Sequence, residues 1–95
     1  MARAVPAGHD SVFHLFVITT EDRDGLIKYL NSKNIFPGLH YPVPCHLQKA
    51  YAGLMHKEGD FPNSEYLASH CLSLPMYAEL KDDEVDYVIE TINGY

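Results

Sequence analysis

The centre of the chain carries a dense cluster of residues that break regular secondary structure. Pro37, Gly38, Pro42 and Pro44 fall close together in the sequence. Proline fixes φ, removes a backbone donor and disfavours helix at the residue before it. This segment is therefore predicted to be extended and stiff, with the regular elements on either side of it.

A strand and a helix are predicted before this segment. Residues 12–18 read VFHLFVI, a β-branched and aromatic run that predicts a strand covered on both faces. A helix is predicted over Asp22–Lys33, capped by Thr19 or Thr20. Asn34 then suits the left-handed conformation in which many helices end.

Two helices and a strand are predicted after the central segment. Pro62 suits the first turn of a helix that runs to about Cys71, and apolar alternation over 72–76 predicts a short strand. Asp82–Glu84 and Asp86 are typical of a helix N-terminus and a solvated face rather than a carboxylate site. The last helix carries an apolar stripe at i, i+3, i+4 and i+7, namely Val85, Val88, Ile89 and Ile92.

These elements predict one α/β (α+β) domain of two layers, with helices packed on a small three-stranded sheet. The third strand is expected to start at Ile35. A chain of 95 residues buries only about 60% of its unfolded surface, which suits a single domain over 11–95. Residues 1–10 are expected to be a flexible lead-in.

The charge balance argues against two classes of partner. Seven basic and thirteen acidic side chains give a formal net charge of −6, which disfavours nucleic acids and anionic membrane surfaces. No apolar run reaches the roughly 20 residues of a membrane span, and residues 1–8 do not resemble a signal peptide. Two cysteines are too few for a disulfide framework, so a cytoplasmic location is expected.

The histidines and cysteines do not predict a metal site. Cys45-His46 and His70-Cys71 offer the ligand types of structural zinc, but adjacent residues point apart on a strand or a helix. The chain also lacks a Gly-x-Ser-x-Gly nucleophile elbow and a glycine-rich phosphate loop. No metal ligand and no catalytic residue is therefore assigned.

The segment from His40 to Gln48 is the strongest candidate for a binding site. It carries two imidazoles, a phenol and a primary amide on a loop stiffened by two prolines. Preorganised polar groups on a rigid loop are what a small-molecule site uses to orient its ligand. The alternative is that Tyr41 and the histidines only cover the edge of the sheet.

Together with its flanking segments, this loop resembles the small C-terminal domain of the DegT/DnrJ/StrS family of PLP-dependent nucleotide-sugar aminotransferases. The resemblance covers about residues 11–92 and is strongest in GLHYPVPCHLQ at 38–48 and LSLPMY at 72–77. The chain departs from the family pattern at four positions: Cys45 for Leu, Lys49 for Pro, Asn34 for Gly and Lys81 for Thr.

The resemblance implies a function and its limits. Enzymes of this family are homodimers that move an amino group, usually from glutamate, to a keto group of a nucleotide-linked sugar. In the family, the lysine that holds pyridoxal phosphate (PLP) and the other cofactor-binding groups lie in a preceding large domain. The resemblance therefore implies no cofactor in this chain alone, and it places His40, Tyr41 and His46 on the substrate side of the cleft.

Three hypotheses follow. The first is a free-standing or truncated small domain of such an aminotransferase, catalytically incomplete alone. The second is a non-catalytic module that self-associates or docks onto a separate large domain, because isolation exposes an apolar face carrying Phe36, Leu39 and Leu47. The third is a nucleotide-sugar binder without catalysis, acting through His40 and Tyr41.

Overall fold

A computed structural model describes residues 2 and 4–95 of the chain. Positions 1 and 3 of the predicted lead-in lie outside the described residues. The regular elements are β1 (Phe16–Thr19), α1 (Arg23–Ser32), α2 (Pro62–His70), β2 (Cys71–Leu74) and α3 (Asp82–Asn93). Two 3₁₀ segments, Cys45–Leu47 and Lys49–Leu54, lie in the central loop between α1 and α2.

The sheet is smaller than the sequence predicts. β1 and β2 pair antiparallel, with Ile18 opposite Leu72. The α+β class is confirmed, but the three-stranded sheet is wrong: after α1 the chain meets β2 only at Gly38. The Gly38 N–H and C=O each form a 2.8 Å hydrogen bond with the backbone of Ser73.

The segment after α1, predicted as the third strand, pairs with β2 over a short length for a physical reason at each of its ends. Ile35 still donates its N–H to Leu30 C=O, at 2.9 Å, to close the end of α1. Tyr41 adopts a φ of 59°, which turns the chain away from the sheet. Only residues 36–40 remain to run along β2, and they form a single bridge. At the opposite edge Ala2 forms an isolated bridge with Ile18.

The end of α1 confirms the prediction for Asn34, whose φ is 59°. Asn34 N–H donates to Asn31 and Ile35 N–H to Leu30, the paired bonds of a Schellman motif. The start of α1 differs from the prediction, because Asp22 rather than a threonine caps it. Asp22 Oδ1 accepts from Gly25 N–H at 3.1 Å.

α3 presents a different face to the core than the stripe predicts. Val88 and Ile92 pack against the core, whereas Ile89 is 51% exposed. Thr91 is buried in its place, and its hydroxyl donates to Tyr87 C=O at 2.7 Å. At the helix start, Glu84 Oε2 accepts the backbone N–H of Lys81 at 2.9 Å.

Five buried apolar residues form one cluster, contributed by both strands, α1 and the segment after α1. Its members are Ile18, Leu26, Leu30, Ile35 and Leu72. Leu30 and Leu72 are completely inaccessible to solvent. This cluster packs the two-stranded sheet against α1.

The chain exposes much more surface than its mass requires. The accessible area is 7326 Å², whereas a compact monomer of this size exposes about 5,500 Å². Val12, Phe13, Leu54 and Met55 are 92%, 59%, 63% and 88% exposed. The prediction of a strand over residues 12–18 that is covered on both faces is therefore wrong for the residues that precede β1, because no described element packs over residues 12 and 13.

None of the helices in the described part of the chain is long and apolar enough to cross a bilayer.

Candidate functional site

A groove of about 550 Å³ lies among the central loop, the sheet and α2. It gathers all three residues that the sequence analysis places at a ligand, His40, Tyr41 and His46. Val17 of β1 and Ser73 of β2 also line it. Since two imidazoles, a phenol and a hydroxyl converge on one concave surface, this groove is the candidate site.

A second groove, of about 530 Å³, lies between the segment after α1 and the start of α3. It is lined by Phe36, Tyr77, Tyr87 and Asp83, among others. It contains none of the residues singled out from the sequence as ligand-binding. The groove under the central loop is therefore retained as the candidate ligand-binding site.

His40 is held by Ser73, a residue of β2 that is only 3% exposed. The distance from His40 Nδ1 to Ser73 Oγ is 2.9 Å. Gly38 permits this arrangement, because a Cβ at that position would lie 2.7 Å from His40 Cε1. One serine thus anchors the Gly38 backbone and the His40 ring together.

Gly38→Ala is expected to push the His40 ring away from Ser73 and to lower the free energy of unfolding by about 1–2 kcal/mol, since a buried hydroxyl loses its partner. The measurement is the pair of His40 ring NMR resonances together with urea unfolding. Gly53→Ala is the matched control, because nothing lies within 4 Å of a Cβ there. Unchanged His40 resonances in Gly38→Ala would contradict this account.

Tyr41 stands beside His40 in a left-handed conformation. Its φ is 59°, and its side chain projects outward with the residue 78% exposed. The ring centroids of Tyr41 and His40 are 6.4 Å apart. A non-glycine residue in this region costs roughly 1–2 kcal/mol, so Tyr41 contributes backbone strain at this turn.

His46 is the most enclosed polar side chain of the loop, with 7% of its side-chain surface accessible. Its Nε2 lies 2.9 Å from Glu65 Oε1. Its ring packs at 4.8 Å from the ring of Phe61. The imidazole is therefore fixed on one side by a carboxylate of α2 and on another by an aromatic ring.

Glu65 ties the end of the central loop to α2. Its carboxylate accepts from Gly59 N–H at 2.9 and 3.0 Å and from Phe61 N–H at 3.4 Å. Gly59 takes a φ of 93°, which favours glycine, and this conformation aims its N–H at the carboxylate. The Gly59 N–H, followed by His46 and Phe61, holds the pKa of Glu65 below its usual value against the opposing effect of burial.

Sequence reasoning missed Glu65 and Ser73. The available signal for Glu65 was its place in the first turn of the helix that Pro62 begins, where a carboxylate can accept the N–H groups preceding the helix. Asp60, which precedes this helix, accepts Lys57 N–H at 3.0 Å within the loop. Ser73 carried no local signal, because its partners lie more than thirty residues away.

Among the residues that the structure describes, no group of three or more His, Cys, Asp and Glu side chains is arranged to hold a metal ion. His46 is paired with Glu65, and His70 Nε2 lies 3.4 Å from Glu21. Cys45 and Cys71 are free thiols. The two His-Cys dipeptides therefore take part in separate local arrangements.

Comparison with known proteins gives a consistent result. The model of the DegT/DnrJ/EryC1/StrS aminotransferase family matches residues 2–93. The chain is 43% identical over 85 residues to the erythromycin biosynthesis sensory transduction protein EryC1 of Saccharopolyspora erythraea. It is 42% identical over 86 residues to the dTDP-3-amino-3,4,6-trideoxy-alpha-D-glucose transaminase of Streptomyces venezuelae. Each match covers 90% of this chain but 23% of the relative.

Solved structures agree with the sequence matches. The chain superposes on S. venezuelae DesV, solved in complex with a ketimine intermediate, with a TM-score of 0.84 and 41% identity. That match covers 90% of this chain and 23% of DesV. An aminotransferase from Brucella abortus gives a TM-score of 0.83 and 38% identity over 96% of this chain and 24% of that one. The chain thus spans about a quarter of the length of these relatives.

Proposed function

Because the chain belongs to the DegT/DnrJ/EryC1/StrS aminotransferase family, we propose that it is the small C-terminal domain of a PLP-dependent nucleotide-sugar aminotransferase. In the complete enzyme, glutamate is the amino donor and a keto nucleotide sugar the acceptor. The observation that carries the proposal for this chain is the groove that gathers His40, Tyr41 and His46. These residues form the substrate side of the cleft.

The described residues do not by themselves fit PLP. The cofactor requires an amine for its Schiff base and a cationic or N–H-rich cradle for its phosphate. No lysine or arginine lines the groove in the described part of the chain. The lysines are exposed elsewhere, at Lys28, Lys33, Lys49, Lys57 and Lys81. We therefore assign the cofactor to the remainder of the enzyme.

The groove is suited to a neutral, hydroxyl-bearing ligand. Its polar groups are imidazoles, hydroxyls and an amide, and its other lining residues are apolar, such as Val17 and Leu67. Such groups donate to and accept from sugar hydroxyls, while the apolar side chains exclude water from around the ring. His40 and Tyr41, at the exposed end of the loop, are proposed to orient the sugar.

The partner proposed for the exposed apolar surface is the large domain of the same enzyme. Phe36, Leu39 and Leu47 are 69%, 46% and 38% exposed, alongside Val12 and Met55. Large apolar side chains exposed in this number are typical of a surface that another protein covers. The second candidate, a non-catalytic module that self-associates, is supported by the same surface. The free thiols of Cys45 and Cys71 support a reducing, cytoplasmic location.

Complementation tests the proposal directly. The chain is co-expressed with a relative that lacks the matching quarter of its own sequence. We expect no transaminase turnover and no borohydride-reducible aldimine absorbance from the chain alone with PLP. The two polypeptides together are expected to co-purify and to regain turnover.

Two variants test whether the regained turnover depends on the groove. His40→Ala and Tyr41→Phe should reduce the regained turnover without affecting co-purification, whereas Glu58→Gln, on the exposed loop, should change neither. An aldimine on a lysine of the isolated chain would overturn the proposal. Self-association without co-purification would favour the second candidate.

A further inference from the structure

The His46–Glu65 pair differs from the His40–Ser73 pair, because one of its members is a carboxylate. A carboxylate without a proton only accepts hydrogen bonds. Glu65 accepts backbone N–H groups from Gly59 and Phe61, which stabilise its ionised form. His46 Nε2, at 2.9 Å from Glu65 Oε1, must therefore carry the hydrogen.

The other ring nitrogen of His46 follows from this assignment. In a neutral imidazole one nitrogen donates and the other accepts, so Nδ1 has a free lone pair. Nδ1 has no hydrogen-bond partner within the described residues. No unpartnered side-chain nitrogen or oxygen is completely buried among those residues, so Nδ1 keeps some contact with solvent. His46 is among the residues that line the groove, so a ligand bound there would lie beside this ring.

We propose that Glu65 is a positioning residue that holds His46 in the Nε2–H tautomer, so that Nδ1 accepts a hydrogen bond from a hydroxyl of a neutral sugar ring in the groove. The inference rests on the proposed function in taking the groove as the substrate side. It also assigns the sugar, and not the diphosphate of a nucleotide sugar, to this chain. A phosphate offers acceptors, and no lysine or arginine of the described residues lines the groove to meet it.

Packing holds the His46 ring in the orientation that directs Nε2 toward Glu65. The Phe61 ring lies against His46 with centroids 4.8 Å apart, and His56 packs on the same Phe61 at 5.0 Å. His56 Nδ1 lies 3.4 Å from Asp60, so that histidine does not compete for Glu65. By contrast, His40 faces the Ser73 hydroxyl, which rotates to donate or accept and therefore does not define a tautomer.

The first measurement is the tautomer of His46 in the full chain. Long-range ¹H–¹⁵N NMR at pH 8 on histidine-labelled protein should show the hydrogen on Nε2. Glu65→Ala should give a mixture of tautomers, whereas Glu65→Gln, whose amide oxygen still accepts, should retain the Nε2–H form. Glu58→Gln, on the exposed loop, should leave the spectrum unchanged. A predominant Nδ1–H form in the unaltered chain would overturn the inference whatever binds.

The second measurement is titration with methyl α-D-glucopyranoside and, separately, with pyrophosphate. The glucoside should move the ¹⁵N resonance of His46 Nδ1 upfield, and pyrophosphate should not. If the glucoside moves only His40 and Tyr41, the positioning role fails while the proposed function stands. If neither the histidines nor Tyr41 respond to the glucoside, while the Nε2–H tautomer is observed, the assignment of the sugar to this groove fails. A response of His46 to pyrophosphate alone also overturns that assignment.

Discussion

Leu72→Ala is expected to lower the free energy of unfolding by about 3 kcal/mol, within the roughly 2–5 kcal/mol that a buried Leu→Ala change costs. Leu72 is completely buried and lies opposite Ile18 across the two strands. Leu72 belongs to the five-residue core cluster, on which Val88 and Ile92 also pack, so its truncation leaves a cavity at the centre of these apolar contacts. A domain of this size is stable by only about 5–15 kcal/mol, which makes this loss a large fraction.

Urea unfolding followed by circular dichroism measures the effect. Met55→Ala, at a position 88% exposed, is the control and should change stability by less than about 0.5 kcal/mol. If the alanine variant does not fold, Leu72→Val should still lose about 1 kcal/mol. A loss below about 1 kcal/mol for Leu72→Ala would show that the cluster is not the main source of stability.

The chain is also expected to lose stability in acid. Three carboxyl groups have a lowered pKa: Asp22, through Tyr95 and then Gly25 N–H; Asp60, chiefly through Lys57 N–H; and Glu65, chiefly through Gly59 N–H. A lowered pKa in the folded state means that folding favours the ionised carboxylate. The contribution is therefore complete above the ordinary carboxyl pKa of about 4 and is lost as the pH falls through the lower folded-state values.

The hydrogen bond between Tyr95 and Asp22 also predicts that stability declines at alkaline pH. Tyr95 donates to Asp22 Oδ2 at 2.6 Å, and this bond raises the pKa of Tyr95. A raised pKa stabilises the fold below the ordinary tyrosine value of about 10, and the contribution disappears as the pH rises through the folded-state pKa. Urea midpoints between pH 2 and 12 should thus form a plateau that falls on both sides.

Tyr95→Phe separates the two limbs of this profile. It removes the hydrogen bond to Asp22 and leaves the ring contact with Tyr29, whose centroid is 5.0 Å away. The variant should show a weaker decline at both ends, because Asp22 and Tyr95 depend on one bond. An unchanged acid limb would assign the acid dependence to Asp60 and Glu65 alone.

Helical periodicity and turn chemistry were enough to predict several elements. α1 and α3 follow from apolar spacing, and the left-handed Asn34 follows from its place after a helical stripe. The resemblance of the His-Tyr-Pro loop and the Leu-Ser-Leu-Pro strand to an aminotransferase family is confirmed by the family match. These signals are local, since each depends on residues within a few turns of one another.

The predictions that failed concern positions where two local interactions compete. A third strand was predicted after α1, but Ile35 is used to end that helix and Tyr41 turns away, so only Gly38 reaches β2. Threonine caps were predicted for α1, but Asp22 lies nearer to the first free N–H groups. In each case two local solutions compete, and packing of the whole chain selects one.

The sequence by itself determined the family, the helical segments and the three candidate ligand-binding residues of the loop, His40, Tyr41 and His46. Only the tertiary structure decided what holds those residues: Ser73 at 2.9 Å from His40, and Glu65 at 2.9 Å from His46. The physical reason is the separation along the chain. A hydrogen bond between residues that are 33 or 19 positions apart leaves no periodic trace in the sequence, and it forms only when folding brings β2 and α2 against the central loop.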